Sequence, residues 1–541
     1  MRSLLTHFLT ALFTILSLCS SAQNEVSNIS SGGKLKPVQA NMDVRHYTIA
    51  LNVDPTTETI DGYTEVDVIL TRKTDSLLFD LIKKYAVTGI TVDKVKAGFR
   101  HEDDFIYITG NSFAPGRHKI RITYSGKPPV AVKPPWEGGF TWGKDKAGNP
   151  WIAINDQLQG AKVYFPCKDH PSDEANEGAD LMITVPKGLV VAGPGLLQKV
   201  TSSKNKSTYH WKTNYTISNY CILFNIGKYK VVSRPYQTIL GHTVPIEFYV
   251  LEEDVKDAQS VLDIRERDTH ILEKYFGEYP WVKEKIGIAQ VNNPGMEHQT
   301  MITYGDHFRY KKIGGVNYSD NLWHEFAHEW WANKITNKDW AHMWIQEGIC
   351  TYSESLFFLD RFGEEAYDST MYRVRVGIQN QLPIVQGEGL SMREIYNNDI
   401  YAKGAFLMNT LRYVLGDSVF FPALKKFSVN TNPATDFYVT EDVKKFFNKE
   451  TGKELSPLFD QYLLTTKTMD FTLYRVEPSV YYVRMENIPM ASLPLDILTD
   501  KGIIRFTIGP TTPSDPPLKI VSKTQPVIDP KERYFKKVIT Q

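Results

Sequence analysis

The sequence predicts a multidomain α+β protein: an N-terminal antiparallel β-sandwich, then a mainly helical domain, then a small C-terminal β region. Three observations carry this expectation. The chain has 541 residues, well beyond the roughly 100 to 200 of one domain. From residue 45 to about 229, short runs alternate apolar and polar residues, the period of a half-buried strand. After Val250 the apolar spacing becomes helical and stays so to Leu464, and alternating runs return from Asp470.

Composition narrows the function. With 42% hydrophobic and 23% charged residues the chain is globular rather than disordered. Its 62 basic and 62 acidic residues cancel, so no global field draws it to nucleic acid or anionic lipid. Residues 1–22 read as an export signal, with Arg2 as the positive start, an apolar run over 8–18 and Ser20-Ser21-Ala22 before Gln23. A periplasmic or extracellular location follows from that reading. Acylation at Cys19 is the alternative, and the bulky Leu18 before it argues against it. No later segment reaches the roughly 18 uninterrupted apolar residues that span a bilayer, so stable membrane insertion is not expected. Beyond the signal only Cys167, Cys221 and Cys350 remain, too few for a disulfide scaffold, and they read as packing thiols.

Residues 23–40, rich in Ser, Asn, Gly and Lys, read as a flexible leader. The β domain is expected over 41–232, with strands near 46–53 and 64–70 and a Pro/Gly/Trp-rich surface loop over 127–151. The helical domain is placed at 233–469, beginning with helical spacing over 254–276, and the last β region at 470–541.

Within the helical domain stands Trp323-His324-Glu325-Phe326-Ala327-His328-Glu329, an H-E-x-x-H pattern. At about 100° per residue, positions four apart leave one face of a helix one turn apart, so both imidazoles can meet one metal. Glu325 lies obliquely on the same side, where it can act as general base on a metal-bound water. A third donor makes the pattern more specific: Glu347 follows His328 by 19 positions, near the start of a helical run over 345–358. Two His and one Glu leave a fourth position open, as in a catalytic rather than a structural zinc site, so one Zn2+ per chain is expected. The plainer alternative is a surface helix with solvated charges, and the third carboxylate argues against it. Glu354, seven residues after Glu347, is placed to orient a ligand imidazole.

H-E-x-x-H followed by 18 residues and Glu resembles the M1 family of zinc aminopeptidases, the gluzincin group that includes aminopeptidase N and leukotriene A4 hydrolase. Pro294-Gly295-Met296-Glu297-His298 resembles the family's G-x-M-E-N motif, Tyr401-Ala402-Lys403-Gly404 its Y-x-K-G segment, and Phe165-Pro166-Cys167-Lys168-Asp169-His170-Pro171 its F-P-C-x-D-x-P segment. The resemblance implies a saddle-like β domain before a thermolysin-like zinc catalytic domain. It implies Tyr401 as the hydroxyl that stabilises an oxyanion, with Tyr396 the nearest rival, and Gly295 and Met296 beside the scissile bond. It further implies Glu297 as anchor for a substrate's free N-terminal amine, with Gln157 reaching the same amine from the β domain. A buried carboxylate does this well, because internal peptide bonds offer no matching charge.

Four residues depart from the family pattern. Pro294 stands for Gly and lacks an N–H, His298 stands for Asn, Gln346 for Asn, and Ala332 for Gly. None removes a ligand or the base. The implied activity is removal of N-terminal residues from peptides. The alternatives are an epoxide hydrolase of the same family and a non-catalytic peptide-binding protein, which would have no need of Glu325. An endopeptidase is a further alternative, against which Glu297 argues.

Overall fold

The structure, a computed structural model, describes residues 29–429 and 437–541. The expected export signal and Cys19 lie outside the described residues. Strand Met42–Asp54 shows how the sequence sets the first domain: it buries Met42 and Val44, then Tyr47, Ile49, Leu51 and Val53. The change of parity falls at a bulge between Val44 and His46, where one extra residue turns the following side chains over. This strand sits inside an eight-stranded sheet between Thr59–Leu70 and Ala179–Pro186. Smaller sheets of three and four strands pack with it.

Three expectations need correction. The β domain is not wholly antiparallel, because Met42–Asp54 and Ala179–Pro186 run parallel, with Tyr47 opposite Ala179. Period-two patterning fixes the buried face of a strand but not the direction of its partner. The stretch 127–151 is not one surface loop, since Gly139–Lys144 pairs with Pro150–Asn155 and Phe140 is fully buried. The leader is not loose from residue 30 onward. Ser31 N donates to Leu158 O at 2.9 Å, Ser31 Oγ to Asp169 Oδ1 at 3.1 Å, and Met392 N to Ser31 O at 2.9 Å. Its polar side chains and backbone are used up at the seam between the two domains, which composition alone does not reveal.

The second domain opens with a four-stranded sheet, Tyr229–Gln237, Thr243–Leu251, Ile286–Gln290 and Ile302–Tyr304. The expected boundary at 232/233 therefore falls inside its first strand. The last two strands pair in parallel and are buried at every residue, so they carry no alternation to read. Helix α1 (Ala258–Phe276) packs along this sheet.

Three helices then place the chemistry. Helix α2 (Asp320–Ala327) starts where the Ser319 hydroxyl accepts from Leu322 N at 3.0 Å, a capping bond reinforced by Asp320 in the first turn. Leu322, Trp323, Phe326 and Ala327 are buried, which leaves His324 and Glu325 for the opposite side. His328 follows the last helical residue with φ −61° and ψ −18°, so it continues the turn. Helix α3 (Trp344–Phe362) is tied to α2 by Trp323 Nε1 donating to Ser353 Oγ at 3.0 Å. Helix α4 (Asp399–Leu415) crosses α3 at Gly348 and Gly404. A Cβ on Gly348 would meet Gly404 Cα at 2.9 Å and Ile400 O at 3.0 Å, so the backbones touch where side chains normally keep helices apart.

The chain ends in two small sheets. Met469–Glu477 pairs with Val480–Glu486 and, in parallel, with Lys536–Thr540, while Leu493–Thr499 lies between Gly502–Ile508 and Val527–Ile528. Cys167, Cys221 and Cys350 are free and buried. Among the described residues no helix is long and apolar enough to cross a membrane.

Gly348→Ala tests the helix crossing. Forcing a methyl against backbone should cost about 1–3 kcal/mol and lower the denaturation midpoint. Gly377→Ala is the control, because nothing lies within 4 Å of its added Cβ; it should be neutral or stabilising.

Candidate metal centre and substrate site

Helices α2 and α3 bring His324, His328 and Glu347 to one point. One donor atom from each lies within 4.8 Å of the others, and Glu347 Oε2 is 3.2 Å from both His324 Nε2 and His328 Nε2. The far sides of the rings decide what this point can hold. His324 Nδ1 is 2.9 Å from Glu354 Oε1, and His328 Nδ1 is 2.8 Å from the Trp331 carbonyl oxygen. Neither oxygen has a proton to give, so each Nδ1 carries a hydrogen, which leaves Nε2 of each ring as the atom that can offer a lone pair to a metal. Two nitrogens and a carboxylate oxygen converging in this way fit a metal ion.

Burial works against a charged Glu347, but His328 and His324 outweigh it and hold the carboxyl below the usual range. Glu347 also lies in the first turn of α3, where the helix dipole favours negative charge. Cys350 Sγ sits 3.3 Å from His328 Nδ1, so this thiol has a neighbour its sequence position did not reveal. Glu325 receives a hydrogen bond from Asn321 Nδ2 at 3.1 Å. Burial pushes its carboxyl up to about 8, with Glu297 and Glu347 adding to the rise and the two imidazoles opposing it.

The same three residues line a cavity of about 350 Å3 with Glu325, Glu297, Gln157, Gly295, Met296 and Tyr401. All the sequence-predicted site residues are thus gathered there except Glu354, which stands behind His324. A larger cavity, about 900 Å3, lies at the domain seam beside Lys168 and Asp339 and contains none of these groups. Glu297 is 2% exposed, and burial raises its pKa. Its Oε1 accepts from Gln157 Nε2 and, at 3.1 Å, from the Tyr220 hydroxyl. With its amide nitrogen spent on Glu297, Gln157 keeps a carbonyl oxygen to accept with. Asn333 Nδ2 donates to Glu297 O at 2.9 Å and to Glu329 Oε2 at 3.0 Å, which ties the Glu297 loop to the end of α2. Glu297, Glu325 and His328 also present one donor atom each within 4.8 Å of the others.

Gly295 is required by close approach, because a Cβ there would meet Asn321 Oδ1 and Thr303 O at 2.4 Å. Asn321 is the residue that holds Glu325. Tyr401 stacks toward His324, with ring centroids 6.3 Å apart, and its hydroxyl is 2.8 Å from that of Tyr396. The two tyrosine hydroxyls are therefore hydrogen-bonded partners.

Three of the four departures from the family pattern lie in buried or conformationally restricted positions. Ala332 holds φ +149°, a conformation that suits glycine and costs other residues of order 1–3 kcal/mol. His298 is fully buried with neither ring nitrogen partnered among the described residues, and burial pushes it down to about 3, so it is neutral. Gln346 is buried in the first turn of α3.

Sequence reasoning did not single out Tyr220 or Asn333, which reach Glu297 from 77 and 36 residues away, nor Asn321, for which the i, i+4 spacing to Glu325 on one helix was the available signal. It also passed over Asp156. That carboxyl is fully buried with neither oxygen partnered among the described residues. Burial, with Asp169 and Glu297 nearby, pushes its pKa well up.

Comparison with known proteins places this geometry. Residues 261–462 match the Peptidase family M1 domain. Endoplasmic reticulum aminopeptidase 1 of Rattus norvegicus is 22% identical over 78% of this chain and 48% of its own length. Puromycin-sensitive aminopeptidase of Caenorhabditis elegans is 20% identical over 83% of this chain and 49% of its own. The chain thus spans about half the length of these curated relatives. An M1 zinc metallopeptidase from Deinococcus radiodurans superposes with a TM-score of 0.65 over 81% of this chain and 96% of its own, at 21% identity. A mutant form of that protein, bound to a Tyr-Ser-Ala substrate, gives the same score. Residues 261–462 are thus similar to a peptidase family M1 domain, and the chain has the fold seen in an M1 zinc metallopeptidase.

Proposed function

We propose that the chain is a zinc-dependent aminopeptidase that hydrolyses N-terminal residues from peptides. The observation that carries this reading is the position of Glu297: it lines the same cavity as the metal-binding group, within 4.8 Å of donor atoms of Glu325 and His328. Gln157 and Tyr220 close against its carboxylate, so a chain continuing past an anchored amine would have to displace both. That favours cleavage at a terminus over cleavage inside a chain. The M1 relatives named aminopeptidases, and the neighbour bound to Tyr-Ser-Ala, support the same class of substrate.

His324, His328 and Glu347 would hold one zinc ion. When bound, zinc supplies Lewis acidity and lowers the pKa of a water molecule toward about 7. Glu297 takes the substrate's ammonium as its counter-ion, and the Gln157 carbonyl oxygen accepts one of its protons. Glu325 takes a proton from the attacking water and returns it to the leaving amine. A positive charge beside Glu325 lowers its raised pKa and readies it as a base near neutral pH. The Tyr401 hydroxyl, backed by Tyr396, donates to the oxyanion that forms at the scissile carbonyl.

Peptides with a free N-terminus should be cleaved, and the same peptides N-acetylated should not. Equal cleavage of both would sink the aminopeptidase reading, and full activity after chelation would sink the zinc mechanism. Glu325→Gln should keep its zinc, measured by elemental analysis, while kcat falls about 10²- to 10⁴-fold. Unchanged turnover would mean that the base is another residue. Glu354→Ala should weaken zinc affinity about 10- to 100-fold in a competition titration against a chelator. An unchanged affinity would remove Glu354 from the support of His324.

A further inference from the structure

The polar lining of the cavity, apart from Asn398, whose amide bonds the Gly377 carbonyl, is accounted for by metal binding, amine anchoring and proton transfer. What remains is apolar: Pro135, Trp136, Leu158, Pro294, Met296 and the ring of Tyr396. Trp136 stands out among these. It is 45% exposed, whereas eight of the other nine tryptophans are buried and Trp142 is partly so. An indole left this open beside a ligand site is surface for something else to cover.

Its position is built. Lys133 and Glu137 close a tight turn around it, with Glu137 N donating to Lys133 O at 2.8 Å and Val132 N to Glu137 O at 3.1 Å. The next residue, Gly138, donates its N–H to Gln159 Oε1 at 2.8 Å, which fastens the turn to the segment that carries Gln157. Tyr396 lines the same cavity from the second domain. Trp136 thus walls the cavity from the β domain, and the tyrosine pair walls it from the second domain. Charge points the same way. No Lys or Arg lines the cavity, whereas Glu297, Glu325 and Glu347 do, so an acidic substrate side chain would find repulsion and no partner.

We propose that Trp136 is a specificity-determining residue, the aromatic wall of the subsite that takes the side chain beside the anchored amine. It selects peptides whose first residue is aromatic or large and aliphatic over those whose first residue is acidic. The proposal rests on the aminopeptidase reading and adds the class of substrate to it.

The test compares the zinc-loaded full chain with Trp136→Ala and Trp136→Phe on the 4-nitroanilides of Phe, Leu, Ala and Asp, with zinc content and circular dichroism recorded for each protein. Wild type should prefer Phe and Leu over Asp by about 100-fold or more in kcat/KM, the scale of a pocket that matches one side chain and rejects another. Trp136→Ala should lower kcat/KM about 10-fold for Phe and Leu, mainly through KM, and change the Ala substrate by less than about twofold. Trp136→Phe should restore most of the loss. A uniform loss on all four substrates, or no change on any, overturns the assignment of Trp136 while leaving the aminopeptidase reading intact. A zinc-loaded wild type that cleaves none of the four overturns the aminopeptidase reading and this inference with it.

Discussion

Three carboxyl groups, Glu297, Glu325 and Glu347, share one cavity that no Lys or Arg lines. Burial makes each of them costly to ionise, and repulsion between like charges so enclosed adds to that cost. The rise of Glu325 to about 8 and the raised pKa of Glu297 are the direct result. The arrangement becomes favourable when cations enter it. A metal dication at the His-His-Glu point meets the first demand, and a substrate ammonium at Glu297 meets the second. The proposed reaction brings both, so the charge imbalance that burdens the isolated chain is what gives the site its affinity.

Packing holds this imbalance in place. Helices α3 and α4 can touch at Gly348 and Gly404 because neither position carries a Cβ. Glu347 precedes the first glycine by one residue and Tyr401 the second by three, so the crossing brings ligand and hydroxyl to the same side of the cavity. Asn333 performs a similar task at the end of α2, where it bonds both Glu329 and the Glu297 backbone. Glu329 is itself fixed by Trp281 Nε1 at 2.7 Å and Thr300 N at 2.9 Å. The metal point and the amine anchor are therefore linked by short, buried hydrogen bonds rather than by loop contacts.

The parts of the site legible in the sequence are those whose geometry is local. His324 and His328 lie four residues apart on one helical turn, and Glu354 stands two turns beyond Glu347, so helical spacing alone places them. Glu297 and Tyr401 were legible only through motif resemblance, since neither is fixed by periodicity. Tyr220 was not legible at all, because its partner Glu297 is 77 residues away. Trp136 was hidden for a different reason: its Pro- and Gly-rich surroundings read as a surface loop, although the turn is bonded into the wall of the cavity. In the fold, strand faces were readable from alternation. The parallel pairing of Met42–Asp54 and the buried strands Ile286–Gln290 and Ile302–Tyr304 were not, because the first depends on partner direction and the others lack alternation.

The two halves of the proposed activity rest on different parts of the molecule. All three metal-binding residues come from α2, α3 and the turn between them, so the metal point belongs to the second domain alone. The device that measures from the peptide terminus crosses the seam: Glu297 is in the second domain, but Gln157 and Tyr220, which hold its carboxylate, come from the β domain. Ser31 and Leu158 strengthen this seam one residue from Gln157, through a 2.9 Å backbone bond. A change that loosens the seam therefore removes Gln157 and Tyr220 from the Glu297 carboxylate while leaving the bonds of Asn333 to Glu297 and Glu329 in place. On the proposed reading, metal binding and terminal selectivity draw on different parts of the chain, and the β domain supplies Gln157 and Tyr220 to the substrate site.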